Sequence, residues 1–153
     1  MWKNHSCQLV IYAPNFNFFW VNLYKFKNLK KIIQIPGAPL PIGPYSQAIL
    51  SNDTLYVSGQ IPMDPITGEI VDSSISKSTV RVMENIKALI NAASLKMDDI
   101  VKCNIFLIDM DDFQAVNSVY STYFKDFPPA RETVEVAKLP KGVSIEISCI
   151  AIK

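Results

Sequence analysis

Residues 74–108, SISKSTVRVMENIKALINAASLKMDDIVKCNIFLI, change period part-way along. From Ile75 onward Thr79, Val82, Met83, Ile86, Leu89, Ile90 and Ala93 recur in steps of three and four, with Arg81, Glu84 and Lys87 between them. That spacing lines one stripe of a helix, so an amphipathic helix is predicted from about Ser74 to Ala93. After Met97-Asp98-Asp99 the period shortens to two. Val101, Cys103, Ile105 and Leu107 alternate with Lys102 and Asn104, the pattern of a strand with one face buried.

The flanking segments extend this helix-to-strand unit in both directions. On the N-terminal side Ser46–Leu50 and Thr54–Ser58 flank Ser51-Asn52-Asp53 and read as a hairpin. Pro65-Ile66-Thr67-Gly68 marks a further turn. Before the hairpin, KIIQI at 31–35 is a short β-like run. Pro36-Gly37, Pro39, Pro41 and Gly43-Pro44 exclude a helix after it. On the C-terminal side Asp111 is placed to cap a second helix with inner face Phe113, Val116, Val119, Tyr120, Tyr123 and Phe124, stopped by Pro128-Pro129. Thr133–Ala137 and Val143–Ile152 then read as two strands around Leu139-Pro140-Lys141-Gly142, with Ile145, Ile147, Cys149 and Ala151 on one face of the last. The order is ββαβαββ. Right-handed crossovers place both helices on one face of a mixed sheet and leave the other face uncovered, an α+β fold whose bare face calls for a partner.

The chain has 153 residues and 49% hydrophobic content, an ordinary globular balance that fits one domain with a real core. Residues 1–31 stand apart as a basic, aromatic, acid-free extension, and residues 32–153 form the domain. Pro14, Asn15, Asn17 and Asn22 break the apolar part of that head, which falls short of a membrane span. It is acid-poor like an organelle-targeting peptide but almost lacks the Arg and Ser of one. The expected location is therefore cytoplasmic, or mitochondrial or plastid if the head is a targeting signal. From residue 35 onward ten Lys/Arg face fourteen Asp/Glu, about −4. This balance argues against a phosphate-binding surface for nucleic acid. Cys7, Cys103 and Cys149 form no CxxC pair; the latter two sit in apolar runs as small buried hydrophobes, which fits a reducing compartment.

No glycine-rich nucleotide loop, metalloprotease helix or nucleophile elbow is present, and the single His lies in the head. Acid–base work in the body would fall to carboxylates, tyrosines or ordered water. Two charged residues have apolar or Pro-constrained surroundings: Arg131 in FPPAR at 127–131, and Glu146 between Ile145 and Ile147. Arg offers a planar fork for a carboxylate, and a Glu withdrawn from water can handle a proton. By pattern alone, Glu146 equally suits the solvent face of an alternating strand and Arg131 a loop salt bridge.

IGPYSQA at 42–48, SGQIP at 58–62, TGE at 67–69, PPAR at 128–131, VEVAKLP at 134–140 and IEI at 145–147 together resemble the reactive-intermediate deaminase (Rid) family, also called YjgF-type or L-PSP proteins. The resemblance covers residues 32–153. It implies a chorismate-mutase-like fold assembled as a homotrimer, with sites in the clefts between subunits. The implied activity is hydrolysis of 2-imino acids such as 2-iminopropanoate (the tautomer of 2-aminoacrylate) and 2-iminobutanoate to 2-keto acids and ammonia, protecting pyridoxal-phosphate enzymes. It further implies that Arg131 binds the substrate carboxylate, that Glu146 activates water and that Tyr45 lines the site from a neighbouring subunit. Ser58, Gly59, Asn117 and Thr133 would bind substrate, without cofactor or metal. Thr133 stands where some members have Cys, and Ser148-Cys149 replace a frequent Glu-Ala. Some members have been described as endoribonucleases or translation inhibitors, which keeps RNA cleavage as an alternative. A ligand-binding or chaperone-like trimer without turnover is a third.

Overall fold

A computed structural model describes residues 30–38, 41, 43–124 and 126–153. The first 29 residues, with Cys7 and His5, lie outside the described residues, so the reading of the head as a targeting segment does too. The element order is β1 (Lys30–Ile33), β2 (Ala48–Ser51), β3 (Thr54–Gln60), α1 (Ile75–Ala92), β4 (Ile100–Leu107), α2 (Phe113–Tyr120), β5 (Ala130–Glu135) and β6 (Ile145–Ile152). One sheet holds all six strands in the order β1-β2-β3-β6-β4-β5, antiparallel throughout except for the parallel β4–β5 pair. The KIIQI run thus supplies a sixth strand, which takes in Lys30 and Lys31 from the head side of the expected boundary.

The core lies between the sheet and the two helices. Val82, Met83, Ile86, Leu89 and Ile90 of α1 are fully buried, and α1 packs on β3, β6 and α2. From the sheet, Leu55, Cys103, Ile105, Leu107, Ile145, Ile147, Cys149 and Ala151 meet them. Truncating Leu89 to Ala would cost about 2–5 kcal/mol through lost burial and the cavity left behind. Cys103 and Cys149 are buried, free and directly opposite on β4 and β6; burial pushes both thiols up in pKa, which makes them poor nucleophiles.

Among the described residues the opposite face of the sheet carries no helix, and it exposes Ile32, Tyr56, Val134 and Ile152. Scattered apolar side chains are ordinary on a surface, but a row of them across one sheet face marks an interaction site.

Three local expectations shift. Val101 is exposed, because a register break between Ile100 and Lys102 opposite β6 turns Ile100 inward instead. The cap before α2 comes from Asp109, whose side chain accepts from the Asp111 amide and starts a single 3-10 turn at 110–112; Asp111 itself is exposed within that turn. β5 begins at Ala130, so Arg131 lies within a strand that starts one residue after Pro128-Pro129.

Candidate active site

Arg131 lies on the edge strand β5. Its register partner is Cys103, a core residue, so its side chain leaves the sheet on the helix side. There its guanidinium donates to Asn117 Oδ1 of α2 at 2.7 Å. Its central carbon lies 5.0 Å from the Tyr120 ring centroid and 5.6 Å from that of Phe113. Phe113, Asn117 and Tyr120 are spaced by four and three residues, so they share one face of α2 and make an aromatic shelf with a single amide anchor. Cation–π contact holds a guanidinium flat without using its N–H donors. Only one of five donors is committed to Asn117, which leaves the fork able to take a carboxylate. Two residues along β5, Thr133 points to the same side, with its hydroxyl buried and without a partner. The Tyr120 hydroxyl is likewise buried without a well-formed hydrogen bond. Burial, and then the adjacent Cys103 thiol, push its pKa up.

Glu146 is built differently. Its register partner on β4 is Phe106, and both point to the helix-free face. β3 carries a bulge there, with the pairing to β6 jumping between Val57 and Gln60, and the bulged residues are Ser58 and Gly59. Glu146 lies across Gly59. A Cβ placed on that glycine would overlap the carboxyl group, with Cδ at 2.6 Å and Cγ at 2.9 Å, so only a bare backbone admits the side chain in this position. Half-burial raises the Glu146 pKa above the ordinary carboxylate value, and desolvation is the sole cause.

The bulge is tied to the loop before β2. The Ser58 amide donates to the Gln47 carbonyl at 3.0 Å, and its hydroxyl to the Ser46 carbonyl at 2.8 Å. Gln47 in turn accepts from the Ile35 amide at 2.8 Å. Tyr45 precedes this pinned pair. Its amide donates to the Gly43 carbonyl at 2.9 Å and its side chain is 54% exposed. The positive φ of Gly43 (135°) lets the chain make that turn.

The sequence-derived residues therefore fall into two groups. Arg131, Asn117 and Thr133 gather on the helix side of β5, whereas Glu146, Ser58 and Gly59 gather on the bare face. Within one chain the sheet separates them. Sequence reasoning missed the shelf role of Phe113 and Tyr120, which it read as core. The signal was their spacing about Asn117.

A family model described as Endoribonuclease L-PSP matches residues 36–153. The chain belongs to this family. A RutC family protein of Saccharolobus solfataricus is 54% identical over 125 residues, covering 82% of this chain and 99% of that one. A bovine protein named 2-iminobutanoate/2-iminopropanoate deaminase is 42% identical over 125 residues, covering 82% and 91%. The crystal structure of YyfA from Yersinia pestis, described as a protein of unknown function of the conserved Rid family, superposes with a TM-score of 0.78 at 47% identity, covering 81% of this chain and 99% of that one. The L-PSP and Rid descriptions thus meet on one fold, the mixed sheet backed by two helices described above. Among the described residues no helix is long and apolar enough to cross a membrane.

Proposed function

We propose that the protein is a 2-imino acid deaminase, hydrolysing substrates of the 2-iminopropanoate and 2-iminobutanoate class, and that each site is shared between two chains of a homotrimer. The observation that supports it most is Glu146, a carboxyl withdrawn from water and fitted over bare glycine backbone, in a family with relatives named for this reaction. Arg131 on its aromatic shelf takes the substrate carboxylate. On the protonated imine, Glu146 of the neighbouring chain takes a proton from water as the oxygen adds to the C=N carbon, and the C=N electron pair moves onto nitrogen to leave a neutral amino group. Glu146 then gives that proton to the nitrogen, the C–N bond breaks as a hydroxyl lone pair forms the carbonyl, ammonia leaves, and Glu146 takes the hydroxyl proton and passes it to solvent. Water plus imine gives keto acid plus ammonia, with no oxidant or cofactor. A carboxyl with a raised pKa suits both steps, because general acid–base catalysis is most efficient when the pKa approaches the working pH. Orientation does the rest. Tyr45 would close the Glu146 side of the cleft, and Ser58 would keep the Tyr45 loop beside it.

The shared site follows from placing the Arg131 edge of one chain against the bare face of the next. Such head-to-tail packing closes into a ring, and it covers the apolar row on that face. Ammonia release from 2-aminoacrylate, generated in situ by a dehydratase, tests the reading. The protein should exceed the spontaneous rate, and at substrate below KM Arg131→Ala should remove nearly all of the excess; no acceleration by the folded wild-type protein would refute it.

The family description favours RNA cleavage as a second reading. RNA cleavage that persists in Arg131→Ala at the wild-type rate would place that activity at another site.

A further inference from the structure

Asn85 is a polar residue in the middle of the apolar stripe of α1. It is only 4% exposed, among Val82, Met83, Ile86 and Leu89. A buried amide is costly unless its groups are bonded, and here the bonds run to one place. Its Nδ2 donates to the Met63 carbonyl at 2.8 Å and to the Ile61 carbonyl at 3.3 Å, more than twenty residues away in sequence, while its Oδ1 has no partner. The segment it grips follows the Ser58-Gly59 bulge and Gln60, whose pairing with Ile147 resumes the ladder to β6. A bulge has lost ladder bonds that would otherwise fix its backbone. Here Ser58 holds its N-terminal side, a bond from Gln60 Nε2 to the Ser58 carbonyl at 3.0 Å spans it, and on its C-terminal side Asn85 adds its grip to the bonds of the Met63 amide to the Ile61 carbonyl and the Val71 amide to the Pro62 carbonyl, both 2.7 Å. Further along, Arg81, one helical turn before Asn85, faces Asp64 at 3.8 Å. The Thr67 and Ile66 amides lower the pKa of Asp64, so the tip of this loop is organised on its own. Of the side chains of α1, Asn85 grips the chain nearest Gly59.

We propose that Asn85 is a positioning residue for Glu146: by clamping the Ile61 and Met63 carbonyls it fixes where the Gly59 backbone lies against the Glu146 carboxyl. The kinetic consequence rests on the reading of Glu146 as the proton carrier; the positional one does not. Among the described residues of one chain, no charged group competes for control of Glu146. Phe106 faces it from β4 and Ser58-Gly59 from β3, while Lys102 and Glu132 on the same face pair with each other at 2.6 Å. Tyr56 of β3 lies further along, opposite Ile150.

The test compares Asn85→Leu with Thr79→Val in the full chain. Thr79 is equally buried on the same helix, but its hydroxyl bonds only to the Ile75 carbonyl one turn back. Asn85→Leu should lower kcat by between about tenfold and a hundredfold, as a displacement near 1 Å does, with KM within about twofold because Arg131 is untouched. An NMR titration of the Glu146 carboxyl should show its midpoint falling toward the ordinary range as water reaches it, and Thr79→Val should leave both unchanged. Asn85→Asp, nearly the same shape, gives the same readouts should the Leu variant not fold. A wild-type titration and kcat in a folded Asn85 variant, or the same losses in Thr79→Val, would overturn the proposal. If the wild-type protein releases no ammonia, the deaminase reading fails alone, and the titration still decides the clamp.

Discussion

The two halves of the candidate site hold their charges by different physics. Arg131 sits on the helix side, flat on aromatic rings and tied by one amide, so its charge keeps its donors facing outward. Glu146 sits on the bare face, against a backbone without a side chain, and half-burial alone shifts it. One half is a guanidinium fork held flat by aromatic rings, which suits binding. The other is a perturbed charge that suits proton transfer. The sheet between them keeps the two halves on opposite faces of one chain.

The sharpest way to break this contrast is to remove one half at a time. Glu146→Gln keeps the shape and removes the base, and should lower kcat by on the order of a thousandfold with little change in KM. Arg131→Ala should lower kcat/KM by on the order of a hundredfold, the loss of charge-assisted bonds to a carboxylate, mainly through KM. Steady-state ammonia release separates the two signatures; identical kcat and KM effects would erase the division of labour. Gly59→Ala should lower kcat by tens of fold while leaving the melting temperature nearly unchanged, because the atom displaced is the mobile end of Glu146 and not backbone. Asn117→Leu should raise KM by about tenfold, the low end of the worth of one hydrogen bond to a charged group.

The smallest effect concerns stability. Glu146 titrates higher in the folded protein than in the unfolded chain, so folding favours its protonated form. Its contribution is therefore best below the unfolded value and is lost as pH rises through the folded value. At neutral pH the ionised carboxyl is a liability, and Glu146→Gln should raise the melting temperature there by up to about 4 °C, with the gain vanishing in acid. A gain equal at both pH values would contradict the desolvation account.

Much of the fold was legible because periods are local. The change from steps of three and four to steps of two at Met97 placed α1 and β4, and alternation placed Ile145, Ile147, Cys149 and Ala151 inward. The bulges were not legible, since Val101 and Gly59 depend on register against β6, a pairing between distant segments. The same holds for the site. Arg131 and Glu146 stood out as charges in apolar or Pro-constrained surroundings, and the family motifs agreed with them. That they face opposite ways follows only once Cys103 is opposite Arg131 and Phe106 is opposite Glu146, and no spacing within β5 or β6 carries that information. Asn85 carried no signal in the sequence, because its partners lie beyond the helix.

The central claim, a site made from opposite faces of two chains, is tested most directly by complementation. Arg131→Ala and Glu146→Gln proteins, each nearly inactive alone at substrate below KM, are mixed one to one, unfolded and refolded together, and assayed for ammonia release at that substrate concentration. In a head-to-tail ring about one site in four would receive an intact Arg131 from one chain and an intact Glu146 from its neighbour, so activity should return to about a quarter of wild type. Refolded mixed oligomers that stay as inactive as their parents would contradict the shared site.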